Sequence, residues 1–182
     1  MWSKNDVIFN YAGFTTISNF HIEGTLTTAN FHLDTLYNKN QNNRKGFCHI
    51  LHKDTPNNHQ DILQVFRSKD VGNWKIKGAW DYLQEIFNKH KYFLTFDNNS
   101  FYTVVAGLCG CIPIILNDTK YGSPEEFRKK NPLFKYGIAY GMADLDWALN
   151  THHLLLQNAV DMDRKNNDSV DNFIKYWENK LK

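Results

Sequence analysis

The feature that most constrains this chain is a rhythm. From Lys45 onward, short apolar runs without helical spacing alternate with segments whose apolar residues recur at helical spacing. The runs Phe47–His52, Tyr92–Phe96 and Cys111–Leu116 read as buried strands. Between them, His59–Phe66, Trp80–Lys89 and Phe101–Cys109 read as helices. In Trp80–Lys89 the apolar stripe is Trp80, Leu83, Ile86 and Phe87. Further on, Pro124–Lys130 reads as a short helix with Pro in its first turn, and Tyr136–Gly141 as a short strand or turn. Ala143–Asp161 and Ser169–Leu181 read as two helices. Strands alternating with helices predict an α/β domain with a doubly wound, mostly parallel sheet. Strands lacking polar alternation fit a sheet covered on both faces. In such sheets ligands bind at the carboxyl ends of the strands, so chemistry is sought in the loops after His52, Phe96 and Leu116.

Residues 1–44 look different. Their weak alternation of β-branched and aromatic residues (Val7-Ile8-Phe9, Thr15-Thr16-Ile17, Phe20-His21-Ile22, Gly24–Thr28) predicts short strands, and Asn38–Arg44 a polar loop. The chain is therefore divided into an N-terminal β-rich extension, 1–44, and an α/β domain, 45–182.

Composition excludes several classes. Lys+Arg is 21 and Asp+Glu 19, a formal charge of only +2, so nucleic acid is not an expected partner. Apolar residues are 42%, enough for a sizeable core. No apolar run approaches the ~18 residues of a membrane span. The opening MWSKNDVIFNYAGF lacks the pattern of a signal peptide. Three cysteines, Cys48, Cys109 and Cys111, make no disulfide framework and read as reduced thiols. A cytoplasmic location is expected. Cys109-Gly110-Cys111 has the wrong spacing for zinc, so no metal is expected. No nucleophile–His–Asp grouping is recognisable, and no catalytic residue is assigned.

Residues 91–116 are the most informative stretch. They read as strand, polar loop, helix, strand. The loop sets Asp97, Ser100 and Thr103 at a helix N-terminus, where free N–H groups and the positive dipole end suit a phosphate. The same residues also serve as ordinary caps and turn-formers. Ala106-Gly107 permits close packing on the sheet, and Gly110 stops the helix. Glu125 and Glu126 follow the loop after Leu116, at a strand end where a first-turn acid contacts a ligand or simply favours the helix dipole.

As an ordered set, these words resemble the donor-binding half of GT-B-fold glycosyltransferases of the kind that builds bacterial surface polysaccharides. The matching pieces are Arg44, Gly46 and Cys48 with Lys53 beyond them, and Glu85-Ile86-Phe87-Asn88 leading into the strand. They continue with Phe96-Asp97, Thr103, Ala106-Gly107-Leu108-Cys109-Gly110-Cys111, Ile112-Pro113-Ile114-Ile115 and Tyr136–Gly141. The resemblance spans about residues 44–175. It implies a Rossmann-like sheet forming one half of a GT-B fold. The implied donor is a nucleoside-diphosphate sugar, bound without metal or other cofactor. Lys53 or Arg44 would meet the pyrophosphate, Ser100 and Thr103 the phosphates, and the loop Ile76-Lys77-Gly78 the nucleotide. The family's pair of acids maps onto Asp97 and Val105, so the acid that meets the ribose is replaced. The acceptor would be a glycan or a lipid-linked glycan, with at most peripheral contact to the inner membrane. A GT-B enzyme has two such domains, so the resemblance leaves three possibilities: half of a split enzyme with a separate acceptor-domain polypeptide, a fragment, or a degenerate module. The alternative is a non-catalytic nucleotide- or sugar-binding subunit of a split transferase.

Overall fold

The structure is a computed structural model that describes residues 8–11, 22–26, 33–51, 55–72, 79–117 and 119–181. Two compact units emerge. One comprises Met1–Phe31 and Ala159–Lys182, the other His32–Asn158.

The larger unit is the α/β domain. Its strands are β3 (Phe47–His49), β4 (Lys69–Asp70), β5 (Tyr92–Thr95), β6 (Ile112–Ile115) and β7 (Ala139–Tyr140), following β1 and β2 of the smaller unit. Its helices are α1 (His59–Val65), α2 (Ala79–Lys89), α3 (Phe101–Leu108), α4 (Pro124–Lys130) and α5 (Leu145–Thr151). The sheet order is β4-β3-β5-β6-β7, and every pairing is parallel. The arrangement is the expected doubly wound, Rossmann-like α/β sheet. Alternate strand residues point to opposite faces, and helices cover both. Cys48 and Phe93 pack with Leu83 and Phe87 of α2 and Val105 and Ala106 of α3. Leu94 and Ile114 pack with Leu63 of α1 and Ala148 of α5 on the other side.

The winding reverses once. From β3 the chain moves outward to β4, then returns past β3 to build β5, β6 and β7. The switch point lies between β3 and β5, where open α/β sheets hold ligands at the strand carboxyl ends.

Three expectations change. The strap 33–45, read from sequence mostly as part of the N-terminal extension, falls in the larger unit, and 159–182, read as part of the α/β domain, falls in the smaller. Leu36 is 1% exposed within the core, and buried Asn88 of α2 binds the strap through Lys39 N–H at 2.7 Å and Tyr37 C=O at 3.0 Å. The helix expected over 143–161 is interrupted. A 3-10 turn at Met142–Asp144 precedes α5, and a second at His152–Leu154 ends it. At that second turn the His152 ring binds the carbonyls of Gly107 and Cys111. The next helix, α6 (Leu155–Lys180), then runs unbroken through 162–168. That polar stretch contains no Gly or Pro to stop it. β4 was not expected at all.

The close approach of α6 to α3 depends on Gly107. A Cβ there would collide with Leu155 Cδ2. In the smaller unit, β1 (Ile8–Tyr11) and β2 (Ile22–Leu26) pair in parallel, Phe9 opposite Gly24. The strand expected at Thr15–Ile17 lies outside the described residues. The three cysteines are free and buried. Burial pushes the Cys109 thiol up to about 12 and the Cys111 thiol well above its ordinary value.

Candidate functional site

The loop after β5 stands at the switch point. Thr95 Oγ1 accepts from Asp97 N–H at 3.1 Å, and Asp97 Oδ1 accepts from Asn99 N–H at 2.9 Å. This Asx turn folds the carboxylate into the loop, where Asp97 is 6% exposed. The turn delivers the chain to Ser100, the N-cap of α3, in extended conformation with φ −77° and ψ 127°. Ser100 makes no side-chain capping bond. The simple cap role therefore does not describe it.

Two polar side chains beside that helix start have no partner among the described residues. They are Asn98, through both amide atoms, and Thr103, through its hydroxyl. Asn98 is 1% exposed and Thr103 is sealed. Burying an unpaired amide or hydroxyl costs about 1–3 kcal/mol in proteins. Native interiors rarely leave such groups unmatched, so two beside one helix start form a concentrated exception. Asn98 was not among the residues singled out from sequence. The turn-forming quartet was visible there, but nothing in it separates the Asn that faces inward from Asn99, which is exposed.

The other expected residues divide by place. Glu125 and Glu126 are exposed in the first turn of α4, after β6, and so stand on the carboxyl side of the sheet. Hydrogen bonds from the Glu125 backbone and Ser123 hold the Glu125 carboxyl below its ordinary pKa. Helix α4 is tied to the end of β7 by Arg128. Its Nη1 lies 2.6 Å from Asp144 Oδ2, which also accepts from Tyr140 N–H at 3.0 Å. The Arg128 guanidinium lies 4.5 Å from the Trp147 ring centroid.

Arg44 is not brought to this side. It sits before β3, at the amino edge of the sheet. Its guanidinium donates to Phe87 C=O at 2.9 Å, Asn88 Oδ1 at 2.9 Å and Asn38 Oδ1 at 2.5 Å. A side chain so engaged, behind the sheet, clamps the strap and cannot reach a phosphate at the strand ends. Lys53 and Gly78, with His52, Trp74, Ile76 and Lys77, lie outside the described residues. Val105 is fully buried in the core with Phe93 and Phe87.

Among the described residues, no group of three His, Cys, Asp or Glu is placed to hold a metal ion. Among them no helix is long and apolar enough to cross a membrane. No family model, no curated protein and no solved structure matches the chain.

Proposed function

We propose that the α/β domain is the donor half of a GT-B glycosyltransferase and takes a nucleoside-diphosphate sugar at the β3/β5 switch point. The observation that carries this reading is the pair of buried, unpartnered polar side chains, Asn98 and Thr103, beside the start of α3. A diphosphate there meets the positive end of the α3 dipole and the Ser100 hydroxyl. Loop 97–100 opens to admit it, and Asn98 and Thr103 exchange unpaired burial for hydrogen bonds. Charge that develops on the leaving diphosphate during sugar transfer is stabilised by the same fixed donors. No metal or cofactor takes part in this reading. Asp97 holds the loop's shape, Lys53 and Gly78 complete the pyrophosphate and nucleotide contacts, and Glu125 and Glu126 face the sugar. Arg44 has no part in it.

The acceptor is a glycan or lipid-linked glycan of a cell-surface polysaccharide. The work is cytoplasmic, at most peripheral to the inner membrane, and the acceptor is held by a second domain of the same kind. One observation favours the second reading, a non-catalytic binding subunit. Val105 occupies the core where the family's ribose acid stands, so the donor is held with one contact fewer.

Thermal shift across a panel of UDP-, GDP- and dTDP-sugars tests the proposal. One nucleoside diphosphate class should raise the Tm, by roughly 2.7 kcal/mol of stabilisation at a hundred times Kd. Ser100→Ala and Lys53→Ala should weaken the shift. No stabilisation by any member of the panel overturns it. Binding without transfer, even when an acceptor-domain polypeptide is added, selects the subunit reading.

A further inference from the structure

Helix α1 ends in a way that α3 does not. Both ends close with the same pair of backbone bonds. In α3, Gly110 N–H donates to Gly107 C=O at 2.9 Å and Cys111 N–H to Ala106 C=O at 3.0 Å. In α1, Arg67 N–H donates to Gln64 C=O at 2.9 Å and Ser68 N–H to Leu63 C=O at 3.0 Å. This closure needs a left-handed residue just past the helix, and glycine is the usual occupant. Gly110 fills it in α3 with φ +97°, whereas Arg67 fills it in α1 with φ +48°. A side chain with a Cβ is strained there. An arginine at a glycine position calls for a reason in its side chain.

The reason is what surrounds it. A groove of about 410 Å³ runs along α1 beside the β4 edge, lined by Arg67, Ser68, His49, His59, Gln64 and Leu51 among others. Among the described residues no acidic side chain lines it. Among the described residues no carboxylate forms an ion pair with Arg67. His49 Nδ1 lies 2.9 Å from Ser68 Oγ, which fixes the imidazole at the groove wall. The nearest acid acting on His49, Asp70, has its Oδ1 engaged by Gly72 N–H at 2.8 Å. His59 Nδ1 faces Pro56 C=O at 2.7 Å, so Nδ1 carries the proton. Among the described residues the groove therefore combines one permanent cation, two imidazoles, a hydroxyl and two amides, those of Gln60 and Gln64, in a volume within the range of small-molecule sites.

We infer that this groove is a second binding site, for a small molecule bearing phosphate, with Arg67 as its principal contact. Guanidinium matches phosphate oxygens through paired N–H donors. The site is separate from the α3 loop and does not rest on the donor-site reading.

Inorganic pyrophosphate is the probe, titrated by calorimetry into the full chain. Binding should weaken about tenfold or more in Arg67→Gly, while the urea midpoint of that variant stays level or rises, because glycine relaxes the left-handed position. His59→Gln should weaken binding by a smaller factor, and Ser100→Ala should leave the Arg67-dependent binding in place. Loss in Ser100→Ala with Arg67→Gly unaffected would place the probe at the α3 loop and overturn the inference. Absence of binding to the unaltered chain at millimolar probe would overturn it too. A fall in stability of Arg67→Gly would overturn the argument from strain. Because the nucleotide-sugar panel reads the other loop, each proposal fails separately.

Discussion

The two edges of the parallel sheet are built on opposite principles. At the amino edge, polar groups are buried and matched. Asn88 is fully buried, yet its amide donates to Tyr37 and Gln84 carbonyls and accepts from Lys39 N–H and Arg44. The His152 ring satisfies two carbonyls at once, Gly107 at 3.0 Å and Cys111 at 2.9 Å. At the carboxyl edge, Asn98 and Thr103 are equally buried and unmatched. The same residue type, asparagine, thus does contrary things at the two edges. Matched burial fastens the fold. Unmatched burial weakens it and makes sense where a ligand supplies the missing partners.

Asn88→Ala should break the contrast most severely. It strands two carbonyls, a backbone N–H and part of Arg44, and should cost about 3 kcal/mol in urea denaturation. Arg44→Met comes next, at about 2 kcal/mol, since Phe87 C=O and both asparagines lose a charged donor. Neither substitution should alter the selectivity of nucleotide binding, because both residues lie behind the sheet. A change in selectivity would end the division into a structural edge and a binding edge.

Thr103→Val should have the opposite sign. Removing an unpaired buried hydroxyl while keeping the shape should stabilise the fold by about 1 kcal/mol, and weaken nucleotide-sugar binding in the same preparation. A destabilised Thr103→Val would mean that the hydroxyl is satisfied after all.

The smallest effect is one of pH. Burial holds the His152 pKa below its ordinary 6.5. The unfolded chain therefore takes up the proton first as pH falls. The stability tied to this group is complete above about 6.5 and is lost as pH drops through the lower folded value. Nε2 must carry hydrogen to reach both carbonyls, so the neutral ring already makes these bonds. His152→Gln should flatten this part of the acid limb in Tm-against-pH curves. An unchanged limb would assign it to other groups, His49 among them, whose pKa burial also lowers.

Much of this architecture was legible from apolar rhythm alone. The strands β5 and β6 and the helices α2 and α3 lie where spacing put them, because each buries a continuous apolar face, and α4, which buries only Phe127, lies where its first-turn proline put it. The exceptions share a physical reason. β4 is two exposed residues, Lys69 and Asp70, held by pairing with β3 rather than by burial. The strap 33–45 docks through Leu36 and through Gln84 and Asn88, which read as the polar side of α2. Hydrogen bonds to distant backbone leave no period in a sequence. For the candidate site, the turn and helix start at Asp97–Ser100 were readable from capping chemistry. Arg44 was drawn into the site because a cation near a strand looks the same at either end of it. Asn98 and Arg67 escaped notice because what marks them, an unmatched amide and a left-handed backbone, exists only in three dimensions.

The buried thiols give the molecule an internal clock. Cys48 and Cys111 lie in the core between the sheet and α2, and Cys111 Sγ donates to Phe87 C=O at 3.0 Å. Burial raises the Cys109 and Cys111 thiol pKa values, so almost no thiolate forms at either while the domain is closed. An alkylating reagent can consume these cysteines only as fast as the packing around α2 comes apart. The labelling rate in native buffer therefore reads the opening frequency of the amino edge directly. Loop 97–100, which carries no cysteine, can open and close for its ligand without advancing that count.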